Sequence, residues 1–124
     1  MPAKAPRFYL IHIRECCDRI LNYTAGIESM WPDVPVVYDA VCRNLEIIGE
    51  AARRFDEAFR SAHPEIPLRA MTDVRNILIH AYDRVAAEIL VGIVRQDVPP
   101  LLASVRGLIG DDQDDSQQAS DPTR

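Results

Sequence analysis

The chain has 124 residues, 48% of them hydrophobic and 6% aromatic, with a formal net charge of −5. That length and apolar content exclude a disordered chain and suit one domain with a real core, rich in aliphatic residues that favour helices over sheets. The charge is uneven: residues 111–124 hold five Asp and one Arg, whereas the rest carries thirteen basic and fourteen acidic residues, so no broad basic field is available to attract nucleic acid.

In chain order, residues 1–7 contain two prolines and are expected to be a flexible start. From Phe8 the apolar residues Tyr9, Ile13, Cys16, Ile20, Tyr23 and Ile27 follow a 4-3-4-3-4 spacing, the stripe of an amphipathic helix that ends near Gly26. Trp31-Pro32-Asp33 breaks it, with Asp33 as the expected N-cap of the next helix and Pro35 in its first turn. The second stripe, Val37, Val41, Leu45, Ile48, Ala52, Phe55 and Phe59, predicts one helix from about residue 34 to about residue 61, ended by His63-Pro64. Two long helices joined by a short loop make an antiparallel hairpin. A third helix is predicted from near Pro67 through Tyr82, then a corner at Asp83-Arg84. A fourth covers roughly residues 85–96. Asp97-Val98-Pro99-Pro100 is expected to kink or stop it before a short last helix ending at Ile109.

No stretch alternates as a strand would. The expected fold is all-α, an up-and-down four-helix bundle over residues 8–109 with a short fifth C-terminal helix, followed by a solvated acidic tail over residues 110–124. Cys16, Cys17 and Cys42 are odd in number and form no C-x-x-C, which suits core thiols in a cytoplasmic protein. His12, His63 and His80 lack Cys partners at ligand spacing, so no metal site is expected. No apolar run approaches the ~18 residues of a membrane span, and no membrane partner is expected. Asn44 interrupts the second stripe and should bond a buried partner; Trp31 is either a cap over the helix hairpin or a dimer contact.

The third helix carries the most telling residues. Arg75, Asn76, His80 and Tyr82 crowd eight residues that are otherwise apolar, bracketed by Asp73 and Asp83. With Arg75 at zero and ~100° per residue, Asn76 projects at about 100°, His80 at about 140° and Tyr82 at about −20°. Ile77, Leu78 and Ala81 form an apolar arc predicted to face the bundle. Arg75 and His80 thus flank a broad strip, which suits an extended ligand or a second copy of the chain.

Residue type suggests the chemistry. Arg offers a planar fork of donors for phosphate oxygens, and His can take or give a proton near neutral pH. Together they suffice for RNA cleavage without a metal: a base takes the ribose 2′-OH proton, the oxygen attacks the adjacent phosphate, and Arg stabilises the developing charge. Asn76 can orient either group. The plainer alternative stays open at this level, namely a surface His and an Arg paired with Asp73 or Asp83. Glu50 likewise has two readings: an exposed pair with Arg54, which the spacing favours, or a supporting contact to Arg75 or His80. Gly49 and Ala52 are small enough for close helix approach.

Arg75-Asn76-Ile77-Leu78-Ile79-His80-Ala81-Tyr82 resembles the R-x4-6-H signature of HEPN domains, in the form with Tyr two residues after His. Asn44–Ala52, His63–Pro67 and Gln96–Leu101 are similar, in the same order, to stretches of the HepT-like branch, so the resemblance covers about residues 8–109. It implies a homodimer in which the third helices meet, so that Arg75 and His80 of both copies line one cleft. It implies a metal-independent ribonuclease toxin of a type VII-like toxin–antitoxin pair, acting on mRNA or tRNA with no cofactor for cleavage. It also implies an MntA-like nucleotidyltransferase antitoxin that uses ATP and Mg²⁺ to attach AMP to Tyr82 and silence the nuclease. Two positions depart from the family pattern: Leu68 stands where Trp is common, and Ile77 where a basic residue is common, which removes a cation that would contact RNA. The competing reading is a non-catalytic helical module that docks a nucleotidyltransferase or binds nucleotide.

Overall fold

The computed structural model describes residues 5–81 and 85–110. Tyr82, Asp83 and all but the first residue of the acidic tail lie outside these. Among the described residues the fold is all-α, with α1 (Pro6–Thr24), α2 (Pro35–Ala52), α3 (Glu57–Ala62), α4 (Leu68–Ala81), α5 (Ala87–Gly92) and α6 (Val98–Ile109). It is an up-and-down bundle in which α2 packs against both α1 and α4, and α6 closes against α1.

The core follows the predicted stripes. Ile13, Cys16, Cys17 and Ile20 of α1 meet Val41, Leu45 and Ile48 of α2 and Leu101 and Val105 of α6, all essentially solvent-free. Trp31 is fully buried in a 3-10 turn between α1 and α2 and stacks at 6.3 Å on Tyr38. It caps the hairpin, so the dimer-contact alternative falls. Asn44 is buried, and its Nδ2 donates to the Ala40 carbonyl at 2.8 Å. α1 starts at Pro6, two residues before the expected position. Arg7 belongs to its first turn and donates to the Ile109 carbonyl at 2.7 Å, tying the two ends of the domain together.

Two local expectations are corrected and a third is narrowed. The second helix is not continuous: it ends at Ala52, and a turn separates it from α3. The Asp56 side chain accepts from the Phe59 N–H at 2.9 Å and starts the new helix, a local cap that the uninterrupted apolar stripe hides. Asp33 is not the cap of α2; that position is Val34, with no side-chain bond. Finally, of the two outcomes expected at Asp97-Val98-Pro99-Pro100, a kink or a stop, the stop does not occur. Residues Ile93–Asp97 form a π-helical turn, with Val98 N–H donating to the Ile93 carbonyl, and α6 continues from it with its prolines in the first turn. The wider turn resets the hydrogen-bond register just where the prolines have no N–H to donate. The predicted fourth and fifth helices are therefore joined.

Candidate active site

The site is set by where α4 touches α2. The buried side chains of α4 are Leu68, Met71 and Leu78, which places Arg75 at the edge of the buried face. The Arg75 side chain retains only 23% exposure. Opposite it, α2 presents Gly49. A Cβ added there would lie 2.6 Å from the Met71 carbonyl oxygen and would overlap the Arg75 side chain. Only a residue without a side chain lets the helices close at this level.

One residue further along α2, Glu50 receives the guanidinium. Arg75 Nη2 lies 3.3 Å from Glu50 Oε1, and Arg75 Nη1 donates to Asn76 Oδ1 at 2.8 Å. The carboxylate of α2 and the amide of α4 thus hold the fork from two sides. Glu50 also takes Arg54 Nη2 at 2.6 Å and Arg53 Nη1 at 3.4 Å. The two readings of Glu50 are therefore both realised, since one carboxylate serves Arg54 and Arg75 together. Among the described residues Glu50 is the ion-pair partner of Arg75, and the exposed Asp73 is not.

His80 occupies the last turn of α4 and is exposed. It stands five residues from Arg75, hence ~7.5 Å along the axis and about 140° around it. Within one chain the structure brings together Arg75, Asn76 and Glu50 and leaves His80 on the outward face. Ile77 shares that face. It is 54% exposed, a correction to the prediction that it faces the bundle: the buried arc of α4 is rotated toward Arg75, because α2 packs there. Beside it, an apolar groove between α4 and α5 is lined by Val74, Ile77, Val85, Ile89 and Ile93; Ile89 is 57% exposed. The predicted acceptor Tyr82 and the predicted supporting Asp83 lie outside the described residues.

The model of the family described as ribonuclease HepT-like matches residues 13–108. The chain belongs to the HepT-like ribonuclease family. A protein of Thermococcus cleftensis named "Probable ribonuclease HepT" is 41% identical over 95 residues, covering 75% of this chain and 86% of the relative. A "Putative RNase" of Caldanaerobacter subterraneus is 34% identical over 108 residues, 86% of this chain and 96% of its own length. Another protein with that description, from Methanocaldococcus jannaschii, is 34% identical over 106 residues, with 85% and 97% covered. No solved structure matches.

Two further features complete this HepT-like chain. Among the described residues, no group of three or more His, Cys, Asp or Glu side chains is arranged to hold a metal ion, and no helix is long and apolar enough to cross a membrane. Arg53 is the residue that sequence reasoning missed. The signal is present, since it follows Glu50 by three residues on a helix surface where such pairs meet, but the i+4 partner Arg54 offers the same carboxylate an equally good pair.

Proposed function

We propose that this chain is a metal-independent endoribonuclease that works as a homodimer. The observation that carries the reading is the seating of Arg75: a half-buried guanidinium, oriented by Glu50 and Asn76, in an R-x4-H frame of a HepT-like ribonuclease family member. In this reading Arg75 binds the scissile phosphate of an mRNA or tRNA and stabilises its developing charge. His80 takes the ribose 2′-OH proton; the O2′–P bond forms, the P–O5′ bond breaks, and the leaving oxygen takes up a proton. Asn76 and Glu50 act through Arg75 by fixing its direction.

The second copy supplies what one chain leaves apart. Ile77 and Ile89 expose an apolar surface on the outward side of α4, which supports pairing with a second copy; in the arrangement the resemblance implies, the two α4 helices meet and Arg75 and His80 of both copies line one cleft. Regulation follows the toxin–antitoxin logic of the resemblance. A nucleotidyltransferase of the MntA kind, with ATP and Mg²⁺, transfers AMP to the Tyr82 hydroxyl and releases pyrophosphate. The new phosphodiester competes for Arg75 and blocks RNA.

RNA cleavage measured in EDTA with wild type, Arg75→Ala and His80→Ala tests the core of this reading. Both variants are expected to lose at least ~100-fold of activity, the usual contribution of such groups. Equal activity in all three proteins would sink it. Intact-mass measurement after incubation with the antitoxin and ATP tests the modification; it predicts a gain of AMP in wild type and none in Tyr82→Phe.

A further inference from the structure

Three guanidinium groups converge on the single carboxylate of Glu50. Oε1 faces Arg75 at 3.3 Å and Arg53 at 3.4 Å, while Oε2 faces Arg54 at 2.6 Å. Two nearby acids bond neutral donors and not these guanidinium groups: Asp56 caps α3 through the Phe59 N–H at 2.9 Å, and Glu57 accepts from Ser61 Oγ at 3.1 Å. The cluster therefore holds three positive charges against one negative, an excess of two that favours the approach of further anions. Arg53 and Arg54 are 49% and 56% exposed, against 23% for Arg75. Arg75 is the most enclosed of the three, and its two neighbours are open to a ligand from solvent.

Structural duty does not account for Arg53 and Arg54. Exposed pairs at i+3 and i+4 add little to stability. The Ala52 carbonyl at the end of α2 and the Phe55 carbonyl in the turn after it have their own donor, since Arg60 bonds them at 3.1 Å and 3.2 Å.

We infer that Arg53 and Arg54 form a second phosphate-binding subsite, contiguous with Arg75, for the phosphate next to the scissile one in a single RNA strand. The inference rests on the ribonuclease reading above and adds to it the path of the strand. RNA runs from the outward face of α4, past Arg75, to the C-terminal end of α2. Glu50 occupies the cluster in the free protein and yields part of it to phosphate when RNA arrives. Because Arg75 and Arg54 sit on the two oxygens of one carboxylate, they are close enough to engage adjacent phosphates of one strand. Arginine suits this role because its fork matches two phosphate oxygens at once. The subsite also supplies the local basic cluster that a nearly neutral domain needs to hold RNA, and it offsets the missing cation at Ile77.

The test uses the full chain and a fluorescent single-stranded 2′-O-methyl oligoribonucleotide, which keeps every phosphate but lacks the attacking hydroxyl. Affinity is measured by anisotropy over a range of NaCl concentrations. Arg53→Ala/Arg54→Ala is expected to weaken binding about tenfold and to flatten the log–log salt dependence by ~0.7 for each phosphate the variant no longer neutralises. Arg53→Lys/Arg54→Lys is expected to keep the wild-type slope, because it keeps the charge. Glu50→Gln is expected to tighten binding by removing the competing carboxylate. An alanine double variant that binds with wild-type affinity and slope overturns the subsite, as does a lysine variant with the alanine variant's slope. If that double variant matches wild type while Arg75→Ala loses affinity, the subsite alone fails. If wild type does not bind the oligonucleotide, the ribonuclease reading fails with it.

Discussion

Gly49 of α2 lies directly under the side chain of Arg75 of α4, so the guanidinium of the proposed site is seated by a missing side chain. A methyl group there meets the Met71 carbonyl oxygen as well as Arg75, and backbone cannot move aside as a flexible side chain can. Gly49→Ala is therefore expected to destabilise the fold by about 2 kcal/mol, to lower Tm by several degrees, and to reduce cleavage by displacing Arg75. Gly107 is the control. It lies inside α6, and a Cβ there meets nothing within 4 Å, so Gly107→Ala should stabilise by ~0.5–1 kcal/mol. Thermal denaturation of the two variants decides the matter; equal shifts would show that helix propensity, not close packing, governs both positions.

The proposed division of the site between two chains leads to a second expectation. Arg75 and His80 project about 140° apart on α4, and Glu50 holds Arg75 on the side away from the exposed His80. If each cleft combines residues of both copies, mixing inactive Arg75→Ala with inactive His80→Ala under conditions of subunit exchange should restore part of the cleavage activity. No recovery, with exchange verified by differently tagged subunits, would place both residues of each working site in one chain.

Ile77 and Ile89 give the dimer reading its own test. Both are more than half exposed, and substitutions at exposed positions usually change monomer stability by no more than ~0.5 kcal/mol. Ile77→Asp and Ile89→Asp are therefore expected to leave the helical content intact and to halve the molar mass in sedimentation equilibrium. A wild-type protein that sediments as a monomer would remove the basis of the shared cleft.

The residues that are legible in the sequence share a physical reason. Helices with uninterrupted stripes, such as Ile13-Cys16-Ile20 of α1, announce the face they bury, and Arg75-Asn76 announces itself by adjacency. What stays hidden depends on partners distant in the chain. The angle around α4 puts Ile77 among apolar neighbours, but which side of α4 is covered is decided by α2, and α2 approaches where Gly49 allows it. The break after Ala52 is masked because Phe55 and Phe59 keep the apolar period across a turn that Asp56 initiates. At Pro99, where the sequence left a kink or a stop open, a π turn carries the helix on, because a local change of register costs less than ending a helix whose far end is anchored by Val98, Leu101 and Val105 in the core.

The cysteines supply the last prediction, one of pH and reactivity. Burial pushes the Cys17 thiol up to about 12 and the Cys42 thiol up to about 11, and raises Cys16 as well, from an ordinary value of 9.0. All three are buried and free. The folded state therefore keeps protons that the unfolded chain releases once pH passes about 9. The protonated thiols contribute their full stabilisation below that value, and it is lost as pH rises toward 11–12, by up to ~1.4 kcal/mol per pH unit for each thiol. Chemical denaturation at pH 8 and pH 10 should show lower stability at the higher pH, and Cys17→Ala should reduce the difference. At pH 8 the neutral, enclosed thiols should resist iodoacetamide until the protein unfolds. Rapid labelling of any of the three in the native protein, read by peptide mass mapping, would show that the α1–α2 core opens well short of global unfolding.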